Sequence, residues 1–523
     1  MNDNLLVAPE SYNIVHEFEK HVNKGIKTAL IIQEENGEQS TYTYEELLLK
    51  ANQVANVFHA QGLQKGDVIL IMLPRCVEAY VAYIAALKAG LVIIPSSELL
   101  RAKDIDYRLI HSNAKAIIVM EDLVEEFEHV ESITNVISFI IGRKIGNWLP
   151  IMELAEEYST EFPNTNTKAS DLAFLAYTSG TTGNPKGVMH SHGWGYAHLR
   201  TTASEWLGVK DGDIVWATAA PGWQKWIWSP FLAVLGSGAT AFVYKGKFEA
   251  TKYLQLIEQQ QINVLCCTPT EYRMMAKLDQ LGDYNLGSLR SAVSAGEPLN
   301  REVIETFERE HRIVVRDGYG QTENTLLIGT MLNTDLRPGS MGKPTPGNKI
   351  ELIDENGEIV ADGEVGDIAV HRSTPALFKG YYKDPERTAI QFRGEWYVTG
   401  DRAKKDKDGY FWFEGRNDDI IISSGYTIGP FEVEDALTKH PEVQECAVVA
   451  SPDEIRGNVV KAFVVLKDKS LKEKPTIIEE LQNHVKELTA PYKYPRIIEF
   501  LDELPKTISG KIRRVELRLK EGK

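Results

Sequence analysis

The chain has 523 residues and little cationic surplus to spare: 58 Lys plus Arg stand against 74 Asp plus Glu, for a formal charge of -16. Nucleic-acid binding draws on clustered cations that displace phosphate counterions. The balance therefore speaks against DNA and RNA partners, although a local basic patch for a nucleotide remains compatible with it. Cysteine is scarce, with four residues, Cys76, Cys266, Cys267 and Cys446. None forms a Cys-x-x-Cys pair, which removes a zinc site, and so few in so long a chain are no disulfide framework. Cys266 and Cys267 sit in an apolar run and read as buried strand residues. No run approaches the roughly 18 apolar residues of a membrane helix. The N-terminal segment lacks the cationic start and apolar stretch of a secretory leader, so the expected location is the cytoplasm. There is no low-complexity tract and no repeat of fixed period.

What is present is a globular balance, 43% hydrophobic and 25% charged, in a chain too long for one ordinary domain. Apolar strand-like runs alternate with helix-like stretches. Val68–Leu73, Leu91–Pro95, Ile214–Thr218, Ala239–Tyr244, Val264–Thr268 and Leu289–Ser294 read as strands. Val77–Lys88, Thr251–Gln261 and Arg301–His311 read as helices. The pattern predicts an α/β fold of stacked layers. Past Asn348 the texture changes to strands broken by Gly-rich turns (Ile350–Ile353, Ile368–His371, Tyr410–Glu414), which predicts a β-rich subdomain. After Gly415 a compact α+β module is expected, with helices at Pro430–Lys439 and Ile477–Leu488 and strands at Cys446–Ser451 and Val460–Leu466. The polar stretch Gly415-Arg-Asn-Asp-Asp419 between them is a candidate hinge or an ordinary surface turn.

The most informative string is Tyr177-Thr-Ser-Gly-Thr-Thr-Gly-Asn-Pro-Lys-Gly187, directly after the strand-like run Leu172–Ala176. Glycines let backbone N–H groups approach a ligand. Hydroxyls add donors, and Lys186 adds a point charge suited to phosphate. A Walker loop needs Gly-Lys followed by Ser or Thr. Here Lys186 precedes Gly187, and Ser509-Gly-Lys511 is followed by Ile512, so neither string is one.

The string closely resembles the phosphate loop of the adenylate-forming superfamily of acyl-CoA synthetases, luciferases and peptide-synthetase adenylation domains. The resemblance continues in order from about Tyr42 to Arg513. Within it, Ser294-Ala-Gly-Glu-Pro298, Asp317-Gly-Tyr-Gly-Gln-Thr-Glu323, Thr399-Gly-Asp401 and Leu504-Pro-Lys-Thr-Ile-Ser-Gly-Lys-Ile-Arg513 match further motifs. Gly222-Trp-Gln-Lys-Trp226, Cys267-Thr-Pro-Thr-Glu-Tyr-Arg273 and Pro338-Gly-Ser-Met-Gly-Lys-Pro344 point to the medium-chain acyl-CoA synthetase branch.

The resemblance implies an ATP-dependent acyl-CoA synthetase acting on ATP, Mg²⁺, coenzyme A and a carboxylic acid, of medium chain or of branched short chain. It implies a large N-terminal domain over residues 1–416, a mobile C-terminal domain over residues 419–523 and a hinge near Asp418. Thr178, Ser179, Gly180, Thr181, Thr182, Gly183 and Lys186 would cradle the phosphates. Gly296, Glu297, Pro298, Asp317, Gly318, Tyr319, Gly320 and Gln321 would surround the adenine end, with Tyr319 stacking on the base. Thr322 would donate to phosphate or carboxylate, and Glu323 would hold the metal. Asp401 and Arg416 would take the ribose. Lys511 would serve adenylation, its cation lying between carboxylate and α-phosphate. Ser424, Gly425, Tyr426, Arg456 and Arg496 would meet coenzyme A. Trp223, Lys225 and Gly320 would line the acyl site. Gly320 stands where acetyl-CoA synthetases carry tryptophan, which implies a deeper acyl pocket. Relatives commonly carry arginine at the position of Thr427, a departure that removes one expected phosphate contact. Aryl acids, transfer to a carrier protein, a luciferase-like oxygenase and an inactive nucleotide-binding protein stay open as alternatives. The sequence gives no oligomeric state.

Overall fold

The computed structural model describes residues 5–22, 26–178, 185–297, 299–416, 419, 421–423, 426–453, 457–489, 491–506 and 512–521. Two large sheets carry most of the chain. The first runs, edge to edge, Leu149–Pro150, Ile137–Ile141, Ala116–Met120, Val68–Met72, Val92–Pro95, Leu172–Thr178 and Lys186–Ser191. It is parallel except for its last pair, where Thr178 faces Lys186 in antiparallel register. The second runs Lys343–Pro344, Leu326–Gly329, Val315–Gly320, Ser291–Ala295, Val264–Cys267, Ile214–Ala217, Thr240–Tyr244, Thr28–Gln33 and Gln39–Thr43.

The central strands of both sheets are buried on both faces, which explains why they read as continuous apolar runs instead of alternating ones; the edge strand Gln39–Thr43 is largely exposed and polar. Alternate residues of Val68–Met72 go to different cores. Ile69 and Ile71 join the large cluster between the sheets, while Val68, Leu70 and Met72 pack with Ile105 and Leu109 of the helix Ala102–Ser112. The helix Val77–Lys88 lies in the inner layer, and Tyr80, Tyr83, Ile84 and Leu87 are each at most 1% exposed. Beyond the second sheet, Ala250–Gln259 and Arg301–His311 cover Leu265, Cys267 and Ala292. The result is the predicted stack of α/β layers, with Cys266 and Cys267 buried in a strand and reduced.

An antiparallel sheet of Ile350–Ile353, Val365–His371, Trp396–Lys405, Phe392–Arg393 and Phe411–Arg416 forms the β-rich part. Its core includes Val188, Leu327 and Ile328 from the edges of the two large sheets. The C-terminal strands Val443–Asp453, Gly457–Leu466 and Ile497–Phe500 form a separate sheet with its own clusters. Described contacts between this part and the rest include Lys277 Nζ donating to the carbonyl oxygens of Gln444 and Val443, and Asn300 Nδ2 donating to Thr438 Oγ1 at 3.3 Å.

One buried ion pair organises the C-terminal part. Glu434 on the helix Pro430–Thr438 is 7% exposed, accepts from the Val448 amide at 2.7 Å, and receives Arg514 Nη2 at 2.7 and 2.8 Å on its two oxygens. Removing one partner of such a pair strands a charge, which costs about 3–5 kcal/mol. Arg514→Met is therefore expected to destabilise the C-terminal part by about that amount. Denaturant unfolding monitored within that part checks this; an unchanged midpoint would contradict it.

Candidate nucleotide and acyl site

The strand Val315–Gly320 ends in a turn, Gln321–Thr325, before Leu326–Gly329 returns antiparallel. This turn is fixed from the first sheet and the helix that follows it. His190 Nε2 meets the Thr322 carbonyl at 2.6 Å, Trp194 Nε1 donates to the Asn324 carbonyl at 2.9 Å, and His198 Nδ1 lies 2.6 Å from Thr325 Oγ1. The two histidines and the tryptophan stand at i, i+4 and i+8, with Trp194 stacked on His198 and tilted against His190. Burial pushes both imidazoles down to about 4. They are neutral at physiological pH, and His190 must carry its proton on Nε2 to donate to a carbonyl.

Glu323 is 8% exposed and accepts from Tyr381 Oη at 2.9 Å. Lys186 Nζ lies 3.6 Å from the same carboxylate and 3.2 Å from the same phenol. Lys186 is thus brought beside Glu323, while Thr178 faces it across the antiparallel pair with a buried hydroxyl that has no partner among the described residues. Residues 179–183 of the expected phosphate cradle lie outside the described residues.

Asp401 is 6% exposed and holds a second network. Its Oδ2 receives Tyr319 Oη at 2.6 Å and Gln321 Nε2 at 2.7 Å; Arg416 Nε stands 3.7 Å from Oδ1, placed there by direct strand pairing. Burial raises the Asp401 carboxyl despite these partners. Asp317 keeps some surface accessible, yet its desolvation pushes the carboxyl up to about 7, against the opposing pull of the Gly318 and Leu299 amides and Lys225. Gly318 is imposed by packing, since a Cβ there would meet the Trp206 ring.

Gly296 has φ of 115°, a conformation that favours glycine, and the Glu297 carboxylate beside it pairs with Arg273 at 3.2 Å. Lys225 Nζ donates to the Ala295 carbonyl, one residue before this turn. Trp223 is 36% exposed, whereas Trp226 is core, stacked on Phe231 and edge-on to Tyr80 and Tyr83.

Gly320 is held by a backbone constraint. A side chain there would point into the backbone carbonyl of Thr325, far inside contact distance. The missing side chain makes room for the Gln321–Thr325 turn. A tryptophan at this position would have to displace that backbone.

Other expected residues lie apart or undescribed. Arg496 is exposed on the C-terminal sheet, its guanidinium on Tyr494 Oη at 2.8 Å. Tyr426 and Thr427 are described only as backbone of the strand Tyr426–Ile428. Pro298, Asp418, Ser424, Gly425, Arg456 and Lys511 lie outside the described residues. Sequence reasoning missed His190, Trp194, His198 and Tyr381. The four-residue spacing after the phosphate string was the available signal for the first three; Tyr381 had none.

Known proteins match this arrangement along its length. The model of the AMP-binding enzyme family matches residues 18–382, and that of the AMP-binding enzyme C-terminal domain matches residues 432–511. The uncharacterized acyl-CoA ligase YtcI of Bacillus subtilis is 59% identical over 99% of this chain and 97% of its own length. The mitochondrial acyl-coenzyme A synthetase ACSM3 of Rattus norvegicus is 43% identical over 93% of this chain and 85% of its own. The solved structure of the anthranilate CoA ligase AuaEII in complex with anthranoyl-AMP superposes with a TM-score of 0.91 at 29% identity, covering 98% of each chain. With a family model spanning most of its length and relatives of this similarity, the chain belongs to the AMP-binding enzyme family, among acyl-CoA ligases.

Proposed function

We propose that this protein is an AMP-forming acyl-CoA synthetase for medium-chain or branched short-chain acids, working in the cytoplasm. A carboxylate oxygen attacks the α-phosphorus of ATP, and the bond to the departing diphosphate breaks. The thiol of coenzyme A then attacks the acyl carbon, its proton is lost, and AMP leaves. The observation that carries the reading is the end-to-end similarity to acyl-CoA ligases, combined with Lys186, Glu323 and the Tyr319–Gln321–Asp401 network radiating from one turn.

In this reading the carboxylate is already a nucleophile at neutral pH, so catalysis is alignment and electrostatics. Lys186, Thr178 and residues 179–183 hold phosphate. Lys186 now shares Glu323 with Tyr381 and would exchange that partner for phosphate oxygens. Thr322 donates to phosphate or carboxylate. Gly296, Glu297, Pro298 and Tyr319 line the base, Asp317 accepts from its amino group, and Asp401 with Arg416 takes the ribose. Trp223 and Lys225 flank the acyl group.

The site fits Mg²⁺ in a limited way. Among the described residues no group of three His, Cys, Asp or Glu side chains forms a metal cage. Mg²⁺ commonly binds through one or two carboxylates plus substrate phosphates, which suits buried Glu323 as the single protein ligand. When bound, the ion neutralises phosphate charge.

Residues 1–416 and 419–523 act as two domains about Asp418. The smaller one delivers Lys511 for adenylation, then presents Ser424, Gly425, Tyr426, Arg456 and Arg496 to coenzyme A.

Acid-dependent pyrophosphate release over a panel of acids, with and without coenzyme A, tests the reading; no release with any acid overturns it. Lys511→Ala is expected to slow acyl-AMP formation by about 100-fold or more while thioester formation from supplied acyl-AMP persists. Equal loss of both half-reactions would contradict the division of labour. Asp401→Asn should raise KM for ATP about tenfold or more, the worth of a charge-assisted hydrogen bond.

Asp317 gives a pH test. Its folded carboxyl near 7 lies above the ordinary unfolded value of about 3.9. Its contribution to stability is full below the unfolded value and is lost as pH rises through the folded one. A carboxamide in its place would not titrate. The melting temperature of Asp317→Asn relative to the parent should therefore climb between about pH 4 and pH 7 and level off above. A difference that is flat with pH would refute the buried-charge account.

A further inference from the structure

We infer that the acid carries a neutral hydrogen-bonding substituent besides its carboxylate — a hydroxyl, oxo or amino group — received by the side chains of Gln224 and Trp228. The inference rests on the acyl-CoA synthetase reading and narrows its substrate class. Gln224 is 7% exposed and Trp228 8% exposed. Among the described residues, neither amide atom of Gln224 has a hydrogen-bond partner, nor has the indole Nε1 of Trp228. Native interiors keep few such orphans, and each asks for a ligand or another partner.

Their placement makes a ligand the better account. Gln224 lies on the short helix Gln224–Trp226, which continues as the wider turns of Ile227–Ala233. Gln224 and Trp228 are four residues apart and so share one face. The segment is anchored at both sides of the proposed site. Lys225 Nζ holds the Ala295 carbonyl ahead of Gly296, and His198 Nε2 holds the Trp228 carbonyl at 2.9 Å while its Nδ1 engages Thr325. Just upstream, Gly222 has φ of 93° and lies against the Ser96 and Ser97 backbone, where the Ser96 hydroxyl is also buried and unpartnered. Gln224, Trp228 and Ser96 are all neutral, and the adjacent Lys225 ammonium is turned to the Ala295 carbonyl. The set therefore suits a neutral polar group and disfavours a second carboxylate. A primary amide supplies both donor and acceptor, and the indole supplies a donor. A site built this way rejects an analogue lacking the polar group more strongly than an apolar pocket rejects an added one.

The test compares kcat/KM for acid-dependent pyrophosphate release within matched pairs: hexanoate with 5-oxohexanoate and 6-hydroxyhexanoate, and benzoate with 4-hydroxybenzoate and 2-aminobenzoate. At least one polar member should exceed its hydrocarbon parent by about tenfold or more. Gln224→Met, and independently Trp228→Phe should the first variant not fold, should reduce that ratio to about threefold or less. Hydrocarbon acids preferred throughout, or a ratio untouched by both variants, overturns the inference while leaving the synthetase reading intact. Equal loss on both members of a pair assigns these residues a structural role and also overturns it. Absence of pyrophosphate release with every acid defeats the synthetase reading itself.

Discussion

The hydrogen bonds that seize the backbone of the Gln321–Thr325 turn govern the rest of the arrangement. His190 and Trp194 reach it from the first large sheet and its following helix, and His198 ties down Thr325. The side chains then radiate in fixed directions. Glu323 meets Tyr381 and Lys186, and Gln321 meets Asp401 in the antiparallel sheet. A short loop thereby becomes common to three sheets. Its own carbonyls are held by neutral donors, so the carboxylates nearby bear the electrostatic load without competition from buried cations in its support.

This dependence explains why glycine appears where it does. At Gly320 the turn passes so close behind the strand that only a hydrogen atom fits, and at Gly318 the Trp206 ring occupies the same kind of space. The residues look like concessions to a ligand when read in sequence. In the fold, neighbouring protein takes up the space a side chain would need.

Much of the layered architecture was legible because strands buried on both faces leave unbroken apolar runs, and the helices Val77–Lys88 and Arg301–His311 have the boundaries that periodicity gives. Motif strings singled out Tyr319, Gln321, Glu323 and Asp401 one by one, yet the bonds joining them span long separations, 82 residues from Tyr319 to Asp401 and 58 from Glu323 to Tyr381. What escaped was contact across long separations. His190 and Thr322 are 132 residues apart, and Lys186 and Tyr381 are 195 apart. No local pattern encodes such a meeting. The backbone constraint at Gly320 was illegible for a related reason, since the atom that fills its side-chain space is main chain, and main chain leaves no mark in residue identity.

The described polar contacts between the C-terminal sheet region and the large body, Lys277 on the Val443 and Gln444 carbonyls and Asn300 on Thr438, are made of groups that solvent can serve equally well. Each region meanwhile keeps its own greasy interior. Parting these polar contacts would trade protein partners for water at nearly even terms, whereas the edge-to-face contact of Phe431 with Phe413 adds an apolar grip across the same seam.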